Sequence, residues 1–134
     1  MKIKILIFTH GNFGREIVNS AKMIIGEIED IYTFSLMPGE SLEDYCHLIR
    51  ETLGSKEGKY LALCDIYGGT PHHGAMALSA VYDFNTVCGL NLGMLLTAVL
   101  ERNTGKEIAE IEMNMQQAAR ESVKFVEKLK IQNE

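Results

Sequence analysis

The sequence predicts an α/β fold in which a mainly parallel β-sheet lies between two layers of helices. Short apolar runs rich in β-branched residues alternate with longer segments in which apolar residues recur every three or four positions. Each apolar run is followed within a few residues by glycine or aspartate. This alternation is typical of parallel sheets covered on both faces. No linker-like stretch divides the chain, so we expect residues 1–134 to form a single domain.

Four strands and five helices account for most of the chain. The third helix is predicted to have Thr70 as its N-cap and Pro71 as its first residue. Ser41 and Asp44 form a variant capping box that predicts the start of the second helix. The predicted strands cover residues 3–8, 31–35, 60–64 and 86–88, and the predicted helices cover residues 13–25, 41–53, 71–81, 92–102 and 106–121.

Composition excludes several classes of function. The formal net charge of -5 argues against a broad surface for nucleic acids or anionic membranes. The longest apolar runs are too short to cross a bilayer or to serve as a signal peptide. The three cysteines form no CxxC pair, which argues against a structural disulfide set or a cysteine-based zinc site. We therefore expect a cytoplasmic protein.

The predicted strand order brings two polar residues together. In a flavodoxin-like sheet of order 2-1-3-4, strands one and three are neighbours, and their connections leave toward opposite faces. His10 lies just past the end of strand one, and Asp65 lies at the end of strand three. Because adjacent strands are about 5 Å apart, we expect the imidazole and the carboxylate to lie within reach of each other.

A histidine and an aspartate in this arrangement are suited to phosphoryl transfer. One nitrogen of His10 can attack phosphorus if the other nitrogen carries the proton. A carboxylate such as Asp65 would accept a hydrogen bond from that proton and fix the tautomer. Gly11, directly after the histidine, would let a ligand or a partner backbone approach. We predict His10 and Asp65 as the catalytic pair.

The segment after Asp65 supplies candidate phosphate donors. Gly68 and Gly69 would let backbone amides turn toward the site, and Thr70 offers a hydroxyl group. The helix that follows would point its positive end at the same place. The chain has neither a P-loop motif nor a GxGxxG motif, so we expect no nucleotide cofactor. Phosphate would then arrive on another protein.

The motifs, taken together, resemble those of mannose-family enzyme IIA domains of the phosphotransferase system, which serve mannose, fructose and sorbose transport. The matching segments are Thr9-His10-Gly11, Pro38-Gly39-Glu40, Asp65-Ile66-Tyr67-Gly68-Gly69-Thr70-Pro71 and Gly89-Leu90-Asn91-Leu92-Gly93-Met94-Leu95. The resemblance implies that His10 accepts a phosphoryl group from HPr and donates it to a IIB component. It also implies that Asp65 orients the imidazole and that the Thr70 hydroxyl helps to hold the phosphate.

The same resemblance implies a homodimer in which a C-terminal antiparallel strand is exchanged between subunits. Residues 123–129 occupy the place where such a strand would fall. Their pattern is also compatible with a continued helix, so the prediction of a strand depends on the resemblance alone.

Three other functions stay open at this point. The chain could be the phosphocarrier subunit of a dihydroxyacetone kinase, or a regulatory module that senses phosphorylation without passing the group on. A metal site would need His10, Asp65 and either His72 or His73 to converge. No HxxxH or HExxH spacing favours it, and we predict no metal ligands.

Overall fold

The structure is a computed structural model that describes residues 2–55 and 57–131. Strands and helices alternate along the first two thirds of the chain, and two helices follow the last strand. In chain order the elements are β1 (Ile3–His10), α1 (Phe13–Ile25), β2 (Ile31–Leu36), α2 (Leu42–Leu53), β3 (Lys59–Cys64), α3 (Thr70–Tyr82), β4 (Thr86–Cys88), α4 (Leu92–Glu101) and α5 (Ile108–Glu121).

The sheet has four strands in the order β2-β1-β3-β4, and each neighbouring pair is parallel. This confirms the predicted order. The register pairs Phe8 of β1 with Cys64 of β3, and His10 with Leu36 of β2. The carboxyl ends of β1 and β3 therefore meet at one edge of the sheet.

Helices cover both faces of the sheet, which confirms the three-layer architecture. Ile5, Ile7, Leu61 and Leu63 point to one face and share a core with α1, α4 and α5. The alternate residues point to the other face and pack with α2 and α3; they are Leu6, Phe8, Ala62 and Cys64. Because α1 and α3 lie on opposite faces, the connections from β1 and β3 diverge, and such a point is where ligands usually bind in open α/β sheets.

The starts of α2 and α3 differ in how well they were predicted. The capping box of α2 is present, since Ser41 and Asp44 exchange side-chain-to-backbone hydrogen bonds. The predicted N-cap of α3 is wrong, because Gly69 occupies that position and Thr70 is the first helical residue. Gly69 has φ +64°, a left-handed conformation that glycine adopts readily and threonine does not. No side chain caps this helix.

The C-terminal segment departs from the prediction. Residues 123–131 form no strand and are not part of the four-stranded sheet of the described chain. The apolar side chains of this segment are exposed; they are Val123, Phe125, Val126, Leu129 and Ile131. A strand needs a neighbour to accept its backbone hydrogen bonds, and a single chain places none beside this segment. Pairing with a second chain stays a prediction.

None of the helices in the described parts of the chain is long and apolar enough to span a bilayer.

Candidate functional site

The side chains of His10 and Asp65 are in direct contact at the carboxyl edge of the sheet. Asp65 follows β3, and its amide donates to the carbonyl of Phe8 (3.1 Å), which holds the end of β3 against β1. His10 Nδ1 lies 2.8 Å from Asp65 Oδ2. The His10 amide also donates to Oδ2, at 2.8 Å. His10 is the last residue of β1 rather than the residue past its end, so the sheet itself fixes its backbone.

The second oxygen of Asp65 is held in place as well. Asp65 Oδ1 accepts a hydrogen bond from the amide of Ile66 at 2.8 Å, and Cys64 Sγ lies 3.7 Å away. Burial raises the pKa of the Cys64 thiol to about 12, so the thiol keeps its proton and faces the carboxylate as a weak donor. The Asp65 side chain is 11% exposed, whereas that of His10 is 52% exposed. A fixed, covered carboxylate thus orients an accessible imidazole.

This geometry leaves one nitrogen of the His10 ring without a partner among the described residues. An ionised carboxylate only accepts hydrogen bonds, so the short contact between His10 and Asp65 requires a proton on Nδ1. The lone pair of Nε2 is then available to an incoming electrophile. The negative charge of Asp65 stabilises the positive charge that the ring acquires when Nε2 forms a bond. The pair is suited to nucleophilic attack on a group that another molecule presents.

The loop before α3 lies against the reactive edge of the ring. A Cβ atom at Gly69 would lie 3.1 Å from Cε1 and 3.4 Å from Nε2 of His10. Any side chain there would crowd the imidazole and would also strain the positive φ of this residue. Gly69 therefore allows the backbone to approach the ring closely.

The four residues predicted to bind phosphate differ in what their polar groups contact. The amide of Gly11 donates to the carbonyl of Leu36 at 2.7 Å, and the amide of Gly68 donates to His72 Nδ1 at 2.9 Å. Both amides are therefore already engaged. Within residues 2–55 and 57–131, the amides of Gly69 and Thr70 and the Thr70 hydroxyl have no hydrogen-bond partner. These groups lie at the positive end of the 13-residue helix α3. The geometry narrows the candidate donors to Gly69 and Thr70.

Sequence reasoning missed the contribution of His72 to this site. It considered His72 only as a metal ligand, yet the ring is buried and accepts the Gly68 hydrogen bond. Its ring centroid also lies 4.8 Å from that of Tyr67. The signal available in the sequence was the spacing of four residues, which lets a side chain in the first turn of a helix reach back to the preceding loop.

The structure does not assemble the alternative metal site. Among the residues that it describes, no group of three or more histidine, cysteine, aspartate or glutamate side chains is placed to hold a metal ion. His72 Nδ1 already accepts the Gly68 amide. In the described part of the chain, no third ligand therefore joins His10 and Asp65.

The fold and the site together define a class of protein. It is a parallel α/β domain with a carboxylate-oriented histidine at the point where the strand connections diverge, and that histidine is accessible to a partner.

The chain belongs to the EIIA-man family, described as "PTS system fructose IIA component", whose sequence model matches residues 4–127. It is 27% identical over 127 residues to the mannose-specific EIIAB component of the phosphotransferase system of Escherichia coli K12, and the match covers 92% of this chain. It spans only 39% of the length of that relative. It is also 30% identical over 97 residues to the fructose-specific EIIA component of Bacillus subtilis, covering 70% of this chain and 66% of the relative.

Solved structures of similar proteins share the whole fold. The EIIA component from Streptococcus agalactiae superposes with a TM-score of 0.82 at 32% identity, over 92% of this chain and 96% of that one. The mannose/sorbose-specific IIA subunit from Enterococcus faecalis superposes with a TM-score of 0.85 at 25% identity, over 98% and 99% of the two chains.

Proposed function

We propose that this chain, as a single IIA domain, is a phosphocarrier of a sugar phosphotransferase system. It accepts a phosphoryl group from phospho-HPr on His10 and passes the group to a IIB component. The observation that carries this proposal is the 2.8 Å contact between His10 Nδ1 and Asp65 Oδ2, combined with the exposure of the imidazole. Membership of the EIIA-man family supports it independently.

The proposed reaction follows from the geometry. Nε2 of His10 attacks phosphorus in line with the bond from phosphorus to the donor side chain, and that bond breaks as the new one forms. The proton on Nδ1 stays in place, because Asp65 stabilises the positive ring. The amides of Gly69 and Thr70 and the hydroxyl of Thr70 offset the charge on the phosphoryl oxygens. In the second transfer, the acceptor side chain of the IIB component attacks phosphorus, and the bond from phosphorus to Nε2 of His10 breaks.

Reconstitution with purified donor proteins tests this function. Incubation with phosphoenolpyruvate, enzyme I and HPr should add a single acid-labile phosphoryl group to the wild-type chain. We expect His10→Ala to abolish incorporation. His47→Ala is the matched control, because His47 is an exposed histidine on α2, and it should be phosphorylated like the wild type. Incorporation into His10→Ala would overturn the proposal.

A cytoplasmic setting is part of the same proposal, since HPr and enzyme I would have to reach the histidine. Cys46, Cys64 and Cys88 are free thiols in the structure. Free thiols are typical of a reducing compartment.

We further propose that two copies of the chain associate through their C-terminal segments. β4 lies at the edge of the described sheet. In residues 123–131, exposed apolar side chains are interspersed with charged ones. Phe125 is 90% exposed and Val126 82% exposed, which is unfavourable for an isolated chain in water. Exchange of this segment onto β4 of a second copy would bury these side chains and pair the edge.

Sedimentation velocity tests this association directly. The wild type should sediment as a dimer at micromolar concentration, and Phe125→Asp combined with Val126→Asp should sediment as a monomer. Lys124→Asp combined with Lys128→Asp changes charge in the same segment and keeps its apolar residues. This control should remain dimeric. A monomeric wild type would refute the association without bearing on His10.

A further inference from the structure

His72 connects α3 to the loop beside His10. Its ring is 8% exposed, and its Nδ1 accepts a hydrogen bond from the amide of Gly68 at 2.9 Å. Tyr67, the residue before Gly68, packs against the same ring with centroids 4.8 Å apart. A side chain in the first turn of α3 thus contacts two successive residues of the loop.

The position of this loop determines which backbone atoms lie beside the His10 ring. Gly68 and Gly69 both have positive φ angles, of +89° and +64°. Two consecutive residues in this region form a turn that depends on its hydrogen bonds to keep its shape. The backbone of Gly69 lies against Cε1 and Nε2 of His10. A change at Gly68 is therefore transmitted to the reactive edge of the imidazole through the next residue.

We propose that His72 is a proton-sensitive positioning residue, which holds the loop beside His10 when its ring is neutral and releases it when protonated. The hydrogen bond from Gly68 requires a lone pair on Nδ1, and a protonated imidazole has none. Protonation therefore replaces an acceptor by a donor that faces the Gly68 amide. The kinetic consequence rests on the proposed phosphoryl transfer, whereas the change in the loop does not.

Several ionisable side chains lie near His72. Within the described residues, the cavity beside the ring is lined by the phenol of Tyr67, the thiol of Cys88 and the guanidinium of Arg120, together with neutral side chains. His73 on the same helix has its ring centroid 6.1 Å from that of His72. Across the loop lie His10 and Asp65. His10 and His73 are also imidazoles that can take up a proton, so the test must separate their effects from that of His72.

Two substitutions at position 72 make this separation. His72→Asn places an amide oxygen close to the position of Nδ1 and cannot titrate, so it keeps the acceptor at every pH. His72→Phe keeps an aromatic ring beside Tyr67 and removes the acceptor at every pH. The wild type should behave like His72→Asn while the ring is neutral and like His72→Phe once acidification has protonated the ring.

The Gly68 amide resonance in ¹H–¹⁵N NMR spectra of the unphosphorylated chain gives the first readout. In the wild type it should move upfield on acidification as the hydrogen bond is lost. It should stay downfield in His72→Asn and upfield in His72→Phe. A wild-type Gly68 resonance that does not move would overturn the proposal, as would a resonance that moves equally in His72→Asn. If His72→Phe fails to fold, the comparison of wild type with His72→Asn decides the question alone.

The rate of phosphorylation by phospho-HPr gives the second readout. His10 and His73 are present in all three chains, so effects that these two histidines have in common in the three chains cancel when rates are divided at each pH. The ratio of wild type to His72→Asn should be near one at about pH 8 and should fall on the order of threefold to tenfold at about pH 5.5, the effect of one lost hydrogen bond. A ratio independent of pH would contradict the kinetic role. Failure of the wild type to accept phosphate would refute the proposed function and leave the NMR result standing.

Discussion

One oxygen of Asp65 accepts two hydrogen bonds from His10, one from the backbone amide and one from ring Nδ1, each 2.8 Å long. The first bond ties the carboxylate to β1, and the second sets the orientation of the imidazole. Because β1 and β3 are neighbours in register, the core of the sheet positions both partners. The orientation of the ring therefore depends on Asp65, while the folding of the sheet depends on the apolar residues beneath it.

Asp65→Asn should slow phosphorylation of His10 by roughly ten- to a hundredfold, the usual effect of removing a group that orients a histidine. An amide lacks the negative charge that stabilises the positive ring once Nε2 forms its bond. Its NH2 group must also face a backbone amide that donates, that of His10 or that of Ile66. Rates measured with limiting phospho-HPr would report the change.

Asp83→Asn is the matched control for this substitution. Asp83 is an exposed residue after α3 with a left-handed backbone, a conformation that asparagine also adopts readily. The Asp83→Asn variant should be phosphorylated on His10 at the same rate as the wild type. An unchanged rate in Asp65→Asn would remove the carboxylate from the mechanism.

Gly69→Ala should impair transfer more than it impairs stability. The added Cβ would lie 3.1 Å from Cε1 of His10 and would displace either the ring or the loop. The positive φ adds about 1 kcal/mol or more of strain. Comparing transfer rates and melting temperatures of the variant with those of the wild type separates the two effects.

Gly105→Ala is the control that introduces backbone strain without a new contact to His10. Gly105 has φ +91°, and an added Cβ would meet no atom within 4 Å. It should lower the melting temperature to a similar extent and leave the transfer rate unchanged. Equal loss of rate in the two variants would mean that the contact between Gly69 and His10 is unimportant.

Glu112→Gln should stabilise the protein at neutral pH by about 1 kcal/mol, because it replaces a buried charge by a neutral amide. Glu112 is 9% exposed, and its Oε2 has no hydrogen-bond partner among the described residues. Burial raises the pKa of this carboxyl above its ordinary value. The folded chain thus binds the proton more tightly than the unfolded chain, and ionisation costs stability as the pH rises through the raised pKa.

The gain from Glu112→Gln should therefore disappear below about pH 4, where glutamate is protonated in both states. Denaturant unfolding at neutral and acidic pH measures the difference. Glu110→Gln changes an exposed carboxyl in the first turn of the same helix and should give no gain at either pH. A gain for Glu112→Gln that persists in acid would show that its charge is not the cause.

The strands could be predicted from short-range patterns, and the pairing of His10 with Asp65 could be predicted from the strand order of a flavodoxin-like sheet. Apolar runs define the strands, and the residues at their ends define the edge where ligands bind. The N-cap of α3 was predicted wrongly because Thr70 and Pro71 satisfy the statistical rule, whereas the N-cap position falls on Gly69, which has a positive φ and lies beside His10.

The hydrogen bond between Gly68 and His72 could not be predicted for a different reason. Whether a histidine is buried and which way its ring points depend on neighbours from β4 and α5, which are distant in sequence. Residues 123–129 were predicted as a strand only because the sequence resembles a family for which an exchanged C-terminal strand is expected. One chain offers that segment no partner.

The ring nitrogen that carries the phosphoryl group tests the central claim most directly. Phosphorylation of ¹⁵N-histidine-labelled chain, followed by ¹H–¹⁵N and ³¹P NMR, identifies that nitrogen. The contact between Nδ1 and Asp65 leaves only Nε2 accessible, so we expect phosphate on Nε2 of His10 and an Nδ1 proton that stays bonded to Asp65. Phosphate on Nδ1 of His10, or on any other residue, would contradict the account.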